Sequence, residues 1–325
     1  MHMLLAFFVT KAPVLCWFHN IWKDLYILLM LQQLWSLIHL QTHLKEAKYL
    51  YTIFFAFGGL GSTLGSLVPS FFATSIGSER LLLFPIIIFI VLGFCYQRVV
   101  TYGKSIEISS EKNKPSVNRD SLKESFKSPS MRYIIAIVVL MQVGATILDF
   151  SFNAKMAQVY PLQDIRSGQM GKIWSVINFF NLFTQFVASF FLIHKFGLKR
   201  CHIFLPIILL ASSASIALIP SVTSLIIGFS AVKIVDYSLF NLLKEMLYVP
   251  LSNFEKKNAK AFVDIFAYRS SKGIASILVI GLQYFFSSSL FQVCSLSVVI
   301  LFFLWSMMSL FYFRSSSSMS ALYSE

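Results

Sequence analysis

Charge is what this sequence has least of. Asp, Glu, Lys and Arg make up 13% of its 325 residues against 57% hydrophobic ones, and mean hydropathy is +0.72. Soluble domains carry about 25% charged residues, so this chain has too little polar surface to coat a water-soluble globule. Cysteine is scarce too. Cys16, Cys95, Cys201 and Cys294 stand apart with no C-x-x-C spacing, which excludes a disulfide framework and a zinc site and leaves thiols in or beside apolar segments. Acidic residues number 14 against 27 Lys and Arg. The resulting excess of +13 does not mark a nucleic-acid partner, because the basic residues cluster between hydrophobic runs rather than along one polar face. Also missing are a G-x-S-x-G elbow, a G-x-x-x-x-G-K-[ST] loop and paired Asp-rich helices for magnesium, so no enzyme reading has residues to rest on and no cofactor is implied. His39 and His43 share a helix face at i, i+4 but lack the carboxylate of H-E-x-x-H, and read as interfacial histidines.

What is present is a series of apolar runs. A bilayer core about 30 Å thick takes roughly 20 helical residues, and runs near 15–40, 51–73, 81–100, 131–150, 172–193, 202–220, 222–241, 262–286 and 290–313 predict an all-α integral membrane protein. Residues 1–10 read as the stump of a further helix, with no cleavage pattern of a signal peptide. Residues 101–130, rich in Ser, Lys and Glu and holding Pro115 and Pro129, form a linker that cannot bury a core. From Arg98 to Arg132 this stretch carries eight basic residues, which places it in the cytoplasm by the positive-inside rule. Alternation then puts Lys195, Lys199 and Arg200 inside, with Lys244, Lys256, Lys257 and Lys260, and leaves the uncharged 220–224 and 287–289 outside. The segment 151–172 breaks the pattern, since Lys155, Arg166 and Lys172 fall on the outer side.

Six spans follow the linker and three or four precede it. Six plus six around a long cytoplasmic loop is the plan of major-facilitator-type transporters, and HKFGLKR (194–200) falls where such proteins carry a Gly flanked by basic residues. The expected organisation is an incomplete N-terminal transmembrane half (1–100), the cytoplasmic linker (101–130), a complete six-helix half (131–313) and a cytoplasmic tail (314–325), a bundle of about 9–10 helices in all. Gly58, Gly61 and Gly65, in a Gly-rich run that follows no strand, read as a close-packing face of a membrane helix rather than a dinucleotide loop.

Ionisable groups inside spans are costly and mark function by default. Asp149 closes the first helix after the linker, and Lys233 and Asp236 stand at i, i+3, close enough to pair. Lys244 and Glu245 follow. In 259–276 the i, i+4, i+8 row puts Asp264, Tyr268 and Lys272 on one face with Arg269 beside them. Arg and Lys together suit a phosphate. Arg269 reads equally as a headgroup anchor at a cytoplasmic helix end, whereas Lys272 lies deeper. Lys155, in the basic outer segment, would draw anions to an entrance, and Phe152 and Trp174 are candidates to stack a base.

YSLFNLLKEMLYVPLS (237–252), followed by KNAKAFVDIFAYRSSKGIAS (257–276), resembles the signature region of the ATP/ADP translocase family, the nucleotide transporters of obligate intracellular bacteria and plastids. WSLIHLQTHLKEAKYLYTIFFAFGGLGS (35–62) and ILDFSFNAKMAQVYP (147–161) agree with it in order. The resemblance spans roughly 17–313 and implies a major-facilitator-like fold of twelve helices, no chemical step, and exchange of ATP for ADP or uptake of other nucleotides. With no Arg/Ser-rich transit segment in the sequence, a multi-pass place in a bacterial inner membrane is expected, and a parasite plasma membrane stays open. The resemblance also implies that Asp149 and Lys272 stand at an essential acid and an essential lysine. Two positions depart from the family: Leu40 replaces an acidic residue and Asn153 a lysine. On the family's plan the chain is short of its first two or three helices, one of which bears a substrate-binding lysine. The readings left open beside nucleotide transport are a non-transporting remnant or interaction subunit, and a transporter of a less charged metabolite. Oligomeric state has no signal in the sequence.

Overall fold

The computed structural model describes residues 14–41, 44–102, 129–187, 193–248 and 262–315. The expected stump at 1–10, His43, most of the linker, Pro250, Lys256, Lys257, Lys260 and most of the tail lie outside these, as do the side chains of His39 and Leu40. Every regular element among the described residues is helical: α1 (Val14–Gln41), α2 (Leu44–Ile76), α3 (Phe84–Tyr102), α4 (Pro129–Val159), α5 (Gln163–Val187), α6 (Ile193–Leu218), α7 (Val222–Val235), α8 (Asn241–Leu247), α9 (Tyr268–Phe285) and α10 (Leu290–Ser315), with short 3-10 turns at Arg80–Leu83 and Ser287–Ser289. Two π-helical segments, Asp236–Phe240 and Phe262–Ala267, join α7 to α8 and lead into α9. Helix throughout is what lipid demands, because each backbone polar group must find its partner within the segment.

Each of the nine expected runs is helical over its described residues, apart from 219–220 and 286 at the ends of two of them. Among these residues six helices are long and apolar enough to cross a membrane: Arg80–Arg98, Pro129–Val159, Lys199–Leu218, Val222–Leu247, Phe262–Phe285 and Ser287–Arg314. The chain is an all-α, multi-pass membrane protein. The ends differ from expectation most at 151–172, read as a loop: α4 runs on to Val159 and α5 begins at Gln163. Its polar side chains bond to their own helix, Ser151 to the Ile147 carbonyl at 3.0 Å and Asn153 to the Asp149 carbonyl at 2.8 Å, so polar composition there does not end the helix. Two breaks need glycine. Gly77, at φ 92°, follows α2, and Gly197, at φ 73°, breaks α6 within HKFGLKR, where a turn was expected.

The chain divides into two compact units, one of Met1–Lys114 with Leu162–Ser175 and one of Pro115–Pro161 with Val176–Glu325. In the first, the start of α5 lies close on α2: a Cβ at Gly171 would stand 2.7 Å from the Ser70 nitrogen. Asp164 there accepts bonds from the Ser78 backbone N–H at 2.7 Å and its hydroxyl at 2.6 Å, and these donors hold its carboxyl below the usual range. Gly58, Gly61 and Gly65 differ: a Cβ on any of them would meet nothing within 4 Å among the described residues. The close approaches that such a face was expected to make occur at Gly171 and Gly228 instead.

The second unit is built on α4, which packs against α7, α9 and α10, while α6 packs against α7 and α10. Its core holds Met131, Ile134, Ile137, Met141, Leu148, Phe152, Phe229, Phe240, Phe302 and Trp305. Gly144 leaves room for the Phe302 ring, which comes within 3.0 Å of where its Cβ would be. At Gly228 a Cβ would stand 2.6 Å from the Ile216 Cδ1 and 2.9 Å from the Ser212 carbonyl, so α7 lies almost backbone to backbone on α6. The outward faces are apolar, with Ile274, Ile277 and Ile280 of α9 exposed. Such a surface suits acyl chains and would aggregate in water.

Candidate functional site

Within the second unit, acidic and basic side chains from α4, α7, α8, α9 and both π segments meet among apolar helices. Lys233 of α7 donates to the Asp149 Oδ2 of α4 at 2.7 Å; its side chain is 5% exposed and that of Asp149 36%. One ion is therefore enclosed while the other opens to one side. The expected i, i+3 partnership is corrected: Lys233 makes its contact across to α4, and Asp236, itself buried, accepts instead from the Gln142 Nε2 at 3.3 Å. Asp236 opens the π segment Asp236–Phe240, and its N–H still bonds back to the Val232 and Lys233 carbonyls; the partner that takes Lys233 is Asp149, which helical spacing within one segment does not reveal. Asp236 remains within electrostatic reach of Lys233, Lys272 and Asp149. Lys233 Nζ also lies 5.7 Å from the Phe229 ring centroid and 5.6 Å from that of Tyr237, contacts that favour a cation over an aromatic face.

A second pair lies further along. Lys244 of α8, buried, donates to the Asp264 Oδ1 at 2.8 Å and stands 3.6 Å from the Glu245 Oε1. Asp264 sits in the other π segment, Phe262–Ala267. Each of the two π-helical segments thus carries an aspartate, Asp236 in one and Asp264 in the other, and such turns are frequent at functional sites.

Lys272 and Arg269 are exposed on α9. Lys272 Nζ stands 4.8 Å over the Tyr268 ring, as the shared face of those two positions predicted. Asp264, expected on the same face, is held by Lys244 through the π turn. Lys155, near the end of α4, has its Nζ 5.9 Å from the Phe291 ring of α10. The structure thus brings Asp149, Asp236 and Lys272 into one electrostatic neighbourhood with Lys233, and Lys244 and Glu245 into another with Asp264. Lys155 and Arg269 are not drawn into either set, and Arg269 stands on the exposed side of α9.

Phe152 does not await a base. It is fully buried and stacked on Phe229 with centroids 3.8 Å apart and planes 3° off parallel. The residues that sequence reading missed are Gln142 and the cross-helix role of Lys233. A lone Gln within the apolar run VVLMQVGAT was the available signal, since a buried amide needs a partner. Among the described residues no group of three or more His, Cys, Asp or Glu is arranged to hold a metal ion.

A set of near-balanced ions, with Lys233, Asp236 and Lys244 buried and Asp149 and Lys272 open, has a definite chemical capacity. A lone charge at mid-bilayer costs about 2.5–3.5 kcal/mol on insertion scales, which each carboxylate–lysine contact offsets. An anion entering from the open side of Asp149 would find Lys233 and Lys272 as cations it could share or take over.

Residues 214–313 match the family model of the TLC ATP/ADP transporters. Among curated proteins, the chain is 22% identical to the ADP,ATP carrier protein 1 of Chlamydia trachomatis, over 81% of this chain and 57% of that protein. It is 22% identical to the ADP,ATP carrier protein 1 of Rickettsia typhi over 75% of this chain and 56% of that one. The chloroplastic ADP,ATP carrier protein 1 of Arabidopsis thaliana is 25% identical over 48% of this chain and 28% of its own length. The chain therefore spans a little over half the length of the bacterial relatives it matches. The matched segment contains Lys233, Asp236, Lys244, Asp264 and Lys272 of the charged cluster, whereas Asp149 and Gln142 lie before it. On these matches, the chain is similar to the TLC ATP/ADP transporters over residues 214–313 and, at low identity, to ADP,ATP carrier proteins over most of its length.

Proposed function

We propose that this protein carries nucleotides such as ATP or ADP across a bacterial inner membrane by alternating access, with no chemical step. The single observation that carries the reading is the charged cluster inside an apolar bundle: Asp149–Lys233 at 2.7 Å, Asp236 bonded to Gln142, and Lys272 within reach of Asp236. The names of the relatives, ADP,ATP carriers, supply the substrate class.

In this reading Lys272 and Arg269 are the cations the substrate meets first, because they are exposed on α9 and a cation exposed along a span belongs on a wet path rather than in lipid. Lys233 is the cation released to it when Asp149 gives up its partner. Asp236 keeps the site near neutral when no anion is present, so the empty carrier can reorient without a net buried charge. Lys244, Glu245 and Asp264 form a second paired set, and Lys155 raises anion concentration at the mouth. Alternating access would move the six-helix half, 131–313, against the N-terminal half.

A second reading is a less charged cargo. It is favoured by one feature: Lys233 and Lys244 are both engaged by carboxylates, which leaves fewer cations for a triphosphate. Uptake of labelled ATP, ADP, other nucleotides and uncharged nucleosides into bacterial cells making this chain separates the two. Nucleotide uptake lost in Lys272→Ala, with membrane levels unchanged, supports the first; nucleoside uptake alone supports the second; nucleotide uptake unaltered by Lys272→Ala contradicts the assigned role.

A further inference from the structure

At the end of the second unit opposite the 287–289 turn, α10 finishes beside the beginning of α6. The contacts fix this: Tyr312 of α10 donates to the Ser130 Oγ at the start of α4 at 3.1 Å, and His202 of α6 lies 5.7 Å, ring to ring, from Phe313. Between α6 and α10 runs a cleft of about 370 Å³, lined by Lys199, Ile203, Met307, Leu310, Phe311, Phe313 and Arg314. Its two polar members are both cations and both sit at one end, one from each helix. The remaining lining is apolar, and Met307, Leu310 and Phe311 are exposed. Among the described residues no carboxylate lines it.

We propose that this cleft binds one anionic phospholipid of the cytoplasmic leaflet, its phosphate between Lys199 and Arg314 and an acyl chain along Ile203, Met307, Leu310 and Phe311. Charge complementarity chooses the headgroup, since two cations converging from two helices match a phosphodiester, with Arg able to give it parallel hydrogen bonds. Position chooses the leaflet: Lys199, Arg200, Arg132 and Arg314 crowd the helix ends that the positive-inside rule places in the cytoplasm. Shape chooses a lipid over a free ion, because the slot continues below the cations as an apolar wall open to the bilayer. General attraction of basic loops to anionic membranes would need no slot and would treat every nearby cation alike. The cleft predicts the opposite.

The test is native mass spectrometry of the full chain in detergent with added phosphatidylglycerol, phosphatidylcholine, or glycerol phosphate as the headgroup alone. The expected result is one retained phosphatidylglycerol per chain, retention of phosphatidylcholine at least tenfold weaker, and no competition from glycerol phosphate. Retention should fall about tenfold in the double variant Lys199→Gln, Arg314→Gln and stay unchanged in Lys195→Gln, whose exposed lysine does not line the cleft. Leu310→Trp, which fills the apolar slot and keeps both cations, should lower retention as well, and thermal unfolding of each variant shows whether it is folded. The proposal is overturned if folded Leu310→Trp or the double variant retains the lipid as wild type does. It is overturned equally if Lys195→Gln loses as much as the double variant, or if glycerol phosphate displaces the lipid, which would leave a free-phosphate site.

Discussion

The side chains that matter most are those whose partners stand far away in sequence. Lys233 and Asp149 are 84 positions apart and 2.7 Å apart in space. Removing one partner strands the other; breaking a fully enclosed pair costs about 3–5 kcal/mol, and because Asp149 is 36% exposed we expect Lys233→Ala to cost less, about 2 kcal/mol. Thermal unfolding in detergent should show the Lys233→Ala, Asp149→Asn double variant to be clearly more stable than the sum of the two single losses; strict additivity would mean the contact carries no energy. Phe152 makes the complementary case. Its fully buried ring stacks on Phe229, so Phe152→Ala should destabilise by about 3 kcal/mol while lowering uptake of adenine and guanine nucleotides by the same factor. A change in base preference would return Phe152 to the substrate path. At this scale the sequence was legible in kind and not in pairing. It marked Asp149, Asp236 and Lys272 as costly charges that need a reason, but it paired Lys233 with Asp236 because i, i+3 spacing was the only distance a sequence offers.

Helices were legible because lipid imposes them: an apolar run of about 20 residues has no other way to satisfy its backbone. What hid the extra turns of α4 is that Ser151 and Asn153 bond back to their own helix, so a polar tail reads as loop while remaining helical. The π segments at Asp236 and Phe262 leave no periodicity signal at all. Gly58, Gly61 and Gly65 have the spacing of a packing face, yet among the described residues the close contacts are made at Gly171 and at Gly228, four residues after Ser224. A methyl at Gly228 would collide with the Ser212 carbonyl and Ile216, so Gly228→Ala should cost about 1–3 kcal/mol as α6 and α7 are forced apart. Gly61→Ala, with open space around it, should hold or raise the midpoint; equal losses at both sites would show that helix propensity, not contact, governs. Asp164 offers a pH test of an element boundary. Its carboxyl is lowered by the two Ser78 donors, so the stabilisation is fully present above the unfolded carboxylate value of about 3.9 and is lost as pH falls through the folded one. Hydrogen-exchange protection of the Ser78 amide should therefore be level from neutral pH down to that range and then collapse. In Asp164→Asn that step should vanish, and a step surviving there would assign the effect to another group.

For the whole molecule, composition excluded water as solvent before any motif was read, and the family resemblance supplied what composition could not, since a cluster of balanced ions in a bundle states that something charged is handled without naming it. The proposed nucleotide cargo rests on the match at residues 214–313 and on the names of the relatives. The most direct measurement is transport by the purified chain in liposomes of defined lipid, supplied with labelled ATP, ADP or other nucleotides on one side. The account predicts saturable accumulation of at least one nucleotide, about tenfold or more above the Lys272→Ala protein, with Lys195→Gln equal to wild type. Correctly inserted protein that moves no nucleotide faster than protein-free liposomes, or that moves one equally well as Lys272→Ala, would contradict it.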